Sequence, residues 1–242
     1  MAQNIYDDPD FFAGYSTLPR SRDGLDAAPE WPVLQGMLGD VAGKRILDLG
    51  CGFGAFARWA VAAGAHHVLG LDLSQRMLER ARAATQASNV EYRSADLDTL
   101  TLPAGAFDIV YSSLALHYIE DFARLAATIR QTLTSHGRLV FSVEHPLFTA
   151  PTRPGWIEVD GRTVWPLDAY LAEGRRVTEW FAPGVVKYHR TTASYLNSLI
   201  LAGFAIDRVV EWAPSPAHIA THPEWANEMH RPPFLLLAAT AR

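Results

Sequence analysis

Apolar residues recur along this chain in two alternating rhythms. Short apolar runs at 44–49, 67–71, 90–93, 107–111 and 138–143 are bounded by glycines or polar turns and suit strands buried on both faces. Between them lie stretches of helical character. Residues 55–63 are alanine-rich and stop at Gly64; residues 74–87 start at Ser74, whose hydroxyl can cap an orphan amide; residues 121–133 follow Asp121. Strands alternating with helices at this spacing predict an α/β fold with a doubly wound, Rossmann-like sheet and right-handed crossovers. The alternation breaks after Glu144. Residues 145–190 hold five prolines and three tryptophans, too long for a simple connection, and read as an insertion. A helix at 192–201, a strand ending at Trp212 and a last strand at 234–239 resume the pattern. Ahead of the first strand, a helix is expected within 25–38. Residues 1–23 carry Tyr6, Phe11, Phe12 and Tyr15, an aromatic load that predicts packing onto the rest of the chain.

Composition narrows the class. With 242 residues, 49% hydrophobic and 19% charged, the chain can bury one large core. No apolar run approaches the roughly 18 residues needed to span a bilayer, so no membrane association is expected. The acidic N-terminus lacks an apolar signal core, and a cytoplasmic location is the expectation. A net charge of −5 gives no basic footprint for nucleic acid. The single cysteine, Cys51, excludes an internal disulfide and a cysteine-based zinc site, and no nearby group would make it a thiolate.

The candidate chemistry starts at Asp48-Leu-Gly50-Cys-Gly52-Phe-Gly54, between a strand and a helix. Glycines there allow a sharp turn and let a ligand touch bare backbone, in the crevice outside the carboxyl ends of the strands. With Ala55 in the third small-residue slot, the run also fits a dinucleotide turn. Asp48 tips the balance: a carboxylate there would repel a pyrophosphate but could hold a cationic aminoacyl group. Asp72, at the end of the second strand, can accept from ribose hydroxyls. Asp96 and Leu97, past the third strand, offer a carboxylate and an apolar side chain to an adenine.

These segments, with Phe107-Asp-Ile-Val-Tyr-Ser-Ser-Leu-Ala-Leu-His117, resemble the consecutive motifs of class I S-adenosylmethionine (SAM)-dependent methyltransferases. The resemblance is to the small-molecule type related to ubiquinone and menaquinone methyltransferases. It covers roughly residues 40–145 and, more loosely, the last two strands. It implies a seven-stranded sheet, mostly parallel with the last strand antiparallel. It implies that Gly50 and Gly52 contact the methionine part of SAM through backbone and Asp48 its ammonium. Asp72 would hold the ribose, and Leu73 and Met77 would flank the adenine. Asp96 would accept from the adenine amino group, Leu97 would present its amide to the ring, and Ser112 would lie near the methionine tail. Tyr15 and Arg20 are candidates for closing the pocket. The implied division is an N-terminal helical cap over the cofactor at 1–40, a SAM-binding core at 41–145, an inserted lid at 146–190 and the rest of the sheet at 191–242. The product of the cofactor would be S-adenosylhomocysteine.

Transfer from a sulfonium is an in-line displacement in which positioning does much of the work, with a base where the acceptor carries a proton. Histidine titrates in the useful range. His145, after the fifth strand, is the leading candidate for base or substrate anchor, and His117, after the fourth, the second. His189 and Arg190 could bind an acidic substrate group, and Trp156 and Trp180 could line a pocket for a small-molecule acceptor. The same aromatics would equally suit a homodimer interface. Glu144 with His145 is only a pair, so no metal is expected. The competing readings are an NAD-dependent oxidoreductase, a nucleic-acid methyltransferase and a SAM-binding protein without catalysis. The first lacks a Tyr-x-x-x-Lys pair, and the second lacks an Asn/Asp-Pro-Pro-Tyr pocket where Ser112-Ser113-Leu114 stands.

Overall fold

The computed structural model describes residues 3–242; Met1 and Ala2, part of the expected N-terminal cap, lie outside them. Three helices come first: α1 (Pro9–Ser16), α2 (Pro19–Asp23) and α3 (Trp31–Leu38). The core then runs β1 (Arg45–Leu49), α4 (Ala55–Ala62), β2 (His67–Asp72), α5 (Gln75–Ala84), β3 (Val90–Ser94), β4 (Phe107–Ser113), α6 (Phe122–Thr132) and β5 (Leu133–Glu144). A short helix α7 (Pro146–Thr149) opens the insertion, followed by β6 (Ile157–Val159), β7 (Arg162–Val164), β8 (Gly174–Trp180) and β9 (Ala182–His189). The chain ends with α8 (Thr192–Leu201), β10 (Phe204–Trp212), α9 (Pro216–Thr221) and β11 (Phe234–Ala241).

Seven strands form one sheet in the order β10-β11-β5-β4-β1-β2-β3. Only β11 is antiparallel to its neighbours, pairing with β5 and β10. This is the α/β sheet that the alternation predicted. In β1 every residue after Arg45 is buried, as a central parallel strand requires. Side-chain alternation sends Leu47 and Leu49 to one face, where Phe122, Leu125 and Ile129 of α6 and Tyr195 and Leu199 of α8 cover them. Ile46 turns to the other face, against Trp31, Leu34, Phe56 and Leu78 from α3, α4 and α5. Asp48 shares the parity of Ile46, so a carboxylate is forced into that second face.

The helix starts follow local chemistry. Ser74 accepts from the Met77 amide and Asp121 from the Arg124 amide, each replacing an orphan donor's missing partner. The insertion is more ordered than its composition predicts. It contains two hairpins, β6–β7 and β8–β9, each antiparallel. The second hairpin meets the N-terminal segment. Phe11, fully buried, lies edge-on to Trp180 at 5.4 Å between ring centres, and Gln3 exchanges 2.8 Å hydrogen bonds with Gly184 and Val186. Burying a phenylalanine of this kind stabilises by roughly 1.5–3 kcal/mol. The aromatic load of the first residues is therefore spent on closing one side of the sheet's carboxyl edge. Among the described residues no helix is long and apolar enough to cross a membrane.

Candidate functional site

At the end of β1 the backbone folds back: the amides of Gly50 and Cys51 both donate to the Leu71 carbonyl, at 2.8 and 2.9 Å. Gly50 has φ +72°, and a Cβ there would stand 2.4 Å from the Ala115 Cβ. Gly54 also has φ +72°, and its Cβ would meet the Tyr92 hydroxyl at 2.1 Å. The turn is therefore glycine-rich for two reasons, left-handed backbone and contact with neighbouring strands. Gly54 serves packing against β3.

This turn forms one wall of a cavity of about 500 Å³ at the carboxyl ends of the strands. Asp72, Leu73, Met77, Asp96 and Leu97 line one end of it, and Ser113, Leu114 and Tyr118 the other. A smaller cavity of about 100 Å³ continues beneath, between Arg20, Glu30, Asp48 and Tyr111; Tyr15, Gly50, Gly52 and Ser113 border both. Thus all the expected cofactor residues except Ser112 line these two cavities. Ser112 is fully buried and donates to the Leu49 carbonyl at 2.7 Å, tying β4 to β1; the residue that reaches the cavities is Ser113. Strand alternation explains the one-residue error.

The site is electrostatically negative. Asp48 is 2% exposed, and its Oδ2 has no hydrogen-bond partner among the described residues. Burial, and then the nearby Asp72, push its carboxyl well above the ordinary range. A buried carboxylate oxygen without a partner costs free energy, and a bound cation would relieve it. Burial also raises Asp72, opposed by the amides of Ser74 and Gly52 that donate to it at 2.9 and 2.8 Å. Arg20 faces the small cavity with one guanidinium nitrogen 2.8 Å from Glu30, which is fully buried beside it.

The N-terminal segment closes over this site. The Tyr6 hydroxyl donates to that of Tyr118 at 3.2 Å, and the Tyr6 and Tyr15 rings meet edge-on at 5.1 Å. Asp7 sits on the N-terminus of α5, accepting from the Ser74 hydroxyl at 2.5 Å and the Arg76 amide at 3.2 Å. Those hydrogen bonds hold its carboxyl below the usual range against the effect of burial.

On the insertion side lies a third cavity of about 310 Å³, with Glu144, Phe148, Thr149 and Lys187 in its wall; Arg175 borders it and the large cavity alike. Lys187 Nζ stands 2.5 Å from Glu144 Oε1, and the rings of Trp180, Tyr118 and Phe148 surround the ammonium at 5.1–6.0 Å.

The expected catalytic and acceptor residues fare differently. His145 lines none of the three cavities. Its Nδ1 accepts from the Leu147 amide at 3.0 Å, capping α7, and its Nε2 lies 3.0 Å from Glu211 Oε1. With both ring nitrogens engaged it is not placed to take a proton from a bound acceptor. His117 is buried behind the cavities, its Nδ1 accepting from the Glu144 amide at 3.4 Å; burial pushes it down to about 4, so it is neutral at pH 7. His189 is fully buried between Thr149 and the Tyr170 carbonyl. Arg190 is spent on carbonyls, donating to Ile119 and, at 2.6 Å, to Glu120. Neither lines any of the three cavities, so the expected acidic-substrate contact does not form in them. Trp156 stacks in a group with Trp165 and Arg231, whose guanidinium lies 5.2 and 4.2 Å from the two rings. Trp180 packs between Phe11, Tyr15 and Lys187 and lines none of these three cavities. Among the described residues no group of three or more His, Cys, Asp or Glu could hold a metal ion.

Sequence reasoning missed Tyr6, Leu114, Arg175 and the Glu144–Lys187 pair. Leu114 has φ +52°, a strained backbone that turns the chain after β4 toward the cavity. Nothing in the residue types announces it. For Lys187 the signal was a lone lysine among aromatics; its partner lies forty-three residues away.

The methyltransferase domain family matches residues 47–141. Over its length the chain resembles the solved structure of an S-adenosylmethionine dependent methyltransferase from Mesorhizobium loti. That match has 57% identity, covers 90% of this chain and all of that one, and has a TM-score of 0.86. An uncharacterised protein of Haemophilus influenzae is 36% identical over 98% of this chain and 96% of its own. A ubiquinone biosynthesis O-methyltransferase from Aromatoleum aromaticum is 38% identical over 46% of this chain and 48% of that protein.

Proposed function

The chain belongs to the class I SAM-dependent methyltransferases, and from that premise we propose that it methylates a small molecule at an oxygen, nitrogen or carbon nucleophile. The observation that carries the cofactor assignment within the site is the buried, unpartnered Asp48 oxygen beside the small cavity. A cationic α-ammonium is the group that satisfies it. Gly50 and Gly52 leave room for the methionine part to approach backbone, and Arg20 stands on the same cavity to meet a carboxylate. Asp72 takes the ribose hydroxyls. Met77 and Leu97 bracket the adenine, and Asp96, on the same wall, accepts from its amino group. When bound, SAM supplies an activated methyl group on a positively charged sulfur.

The chain's own contribution is positioning and exclusion of water. Tyr6, Tyr15 and Tyr118 close the large cavity from above, and burial raises all three phenols, so they remain neutral hydrogen-bonding groups. Residues 3–40 act as the cover and 146–190 as the acceptor side. A water-poor cavity strengthens the electrostatic effect of Asp48 and Asp72 on a cation. The small-molecule assignment rests on the size of the cavities left where the cover meets the hairpin β8–β9, which suits a metabolite.

The test is incubation with methyl-labelled SAM and a whole-cell extract, with mass spectrometry of the products. Label in a metabolite is expected. Binding of S-adenosylhomocysteine in calorimetry with no labelled product would refute transfer. Label in protein or nucleic acid alone would refute the small-molecule assignment.

A further inference from the structure

The third cavity has features that a mere tie between hairpin and core does not require. Glu144 ends β5, and its Oε1 is held by Lys187 from β9. Its Oε2 has no hydrogen-bond partner among the described residues. The nearest cation-capable group is His117 Nε2 at 3.9 Å, too far for a hydrogen bond. An ion pair withdrawn from water is expensive, and one with an unsatisfied oxygen more so, unless a further donor completes it. Lys187, 5% exposed inside the cage of Trp180, Tyr118 and Phe148, donates to Oε1.

The position is right for chemistry at the cofactor. Ser113, on the wall of the large cavity, is in register with Ser142 of β5. Glu144 lies two residues farther along that strand, about 7 Å on. Val186 lines the large cavity and Lys187 the third one, because successive residues of β9 face opposite sides. Arg175 stands in the wall of both cavities.

Resting on the transfer reading above, we propose that the methyl acceptor occupies the cavity bounded by Glu144, Phe148, Thr149 and Lys187, and that it is an alcohol, phenol or amine whose O–H or N–H donates to Glu144 Oε2. Phe148, Pro151 and Pro154 offer its carbon skeleton an apolar wall. In the transfer step the acceptor's lone pair forms the bond to the methyl carbon. The donor's carbon–sulfur bond breaks with its electron pair staying on sulfur. The acceptor's proton passes to Glu144 Oε2 and from there to solvent when product leaves. Lys187 fixes the carboxylate in place through its contact with Oε1; Glu144 takes the role that the sequence assigned to His145.

The experiment compares wild type with Glu144→Gln, which keeps the side chain's size and removes the proton acceptor. Both are titrated with S-adenosylhomocysteine by calorimetry and assayed with labelled SAM and a small-molecule extract. Expected are affinities equal within about twofold and labelled product formation reduced about 100-fold or more in the variant. Equal labelling by the two proteins would overturn the role of Glu144 while leaving transfer intact. Absence of labelled product from the wild type would overturn transfer and this proposal together. Mass spectrometry of the wild-type product decides independently of any variant: methyl on oxygen or nitrogen supports the proposal, and methyl on carbon or sulfur refutes it.

Discussion

Replacing Asp48 by asparagine should separate the folding role of this residue from its binding role, because the two have opposite signs. In the unliganded protein the Asp48 carboxylate is 2% exposed and one oxygen lacks a partner. Burial and the charge of Asp72 raise its pKa well above the value of 3.8 expected in an unfolded chain. Folded protein thus holds this proton more tightly than unfolded protein. Stability of the unliganded wild type therefore rises as the pH falls through the range above 3.8, and is lower at neutral pH. An asparagine side chain carries no charge, so the Asp48→Asn variant lacks that dependence and gains on the order of 1 kcal/mol at pH 7. Binding runs the other way. A charge-assisted hydrogen bond to an ammonium is worth roughly 1.5–3 kcal/mol, so Asp48→Asn should weaken S-adenosylhomocysteine about 10- to 150-fold. Thermal melts from pH 4.5 to 8 without ligand, and calorimetric titration at pH 7, measure the two effects. Affinity within twofold of wild type would refute the assignment of the ammonium to Asp48, and an unliganded variant that melts lower than wild type at neutral pH would refute the cost assigned to its buried charge.

Three further outcomes follow from named contacts. His117 is neutral in the fold, held down to about 4 by burial, and takes up a proton on unfolding near 6.5; stability is therefore full above pH 6.5 and falls by up to about 3 kcal/mol toward pH 4, and His117→Gln should flatten that part of a urea-unfolding series. Gly54→Ala combines φ +72° with a Cβ 2.1 Å from the Tyr92 hydroxyl and should cost about 2–4 kcal/mol by chemical denaturation, and an undisturbed midpoint would show that β3 yields freely. Asp7→Ala removes the acceptor shared by Ser74 and Arg76 and should cost about 1 kcal/mol; because that contact pins the cover, S-adenosylhomocysteine should dissociate about fivefold faster in stopped flow, and an unchanged rate would mean that the cover does not gate the site.

Much of this protein is settled by its sequence alone. Period and spacing determined the order of strands and helices, because a parallel strand must be apolar on both faces and a helix on one. The glycines at 50 and 52, with Asp48, Asp72 and Asp96, were legible as a site because each stands at a strand's carboxyl end, and topology sends all those ends to one crevice. Local rules failed wherever a side chain's partner came from far along the chain. Ser112 and Ser113 differ only in which face of β4 they take, a choice set by pairing with β1 and β5. His145 and His189 look like catalytic or binding histidines in the sequence, but Glu211, Thr149 and Tyr170 take up their ring nitrogens. The insertion reads as a proline-rich loop, and pairing within its hairpins and against α1 orders it. The Glu144–Lys187 pair exists only because the β8–β9 hairpin folds back onto the end of β5. The cofactor side is built from strand ends that local sequence places. The acceptor side is built from contacts between distant segments, and only tertiary packing decides which charges those contacts leave unpaired.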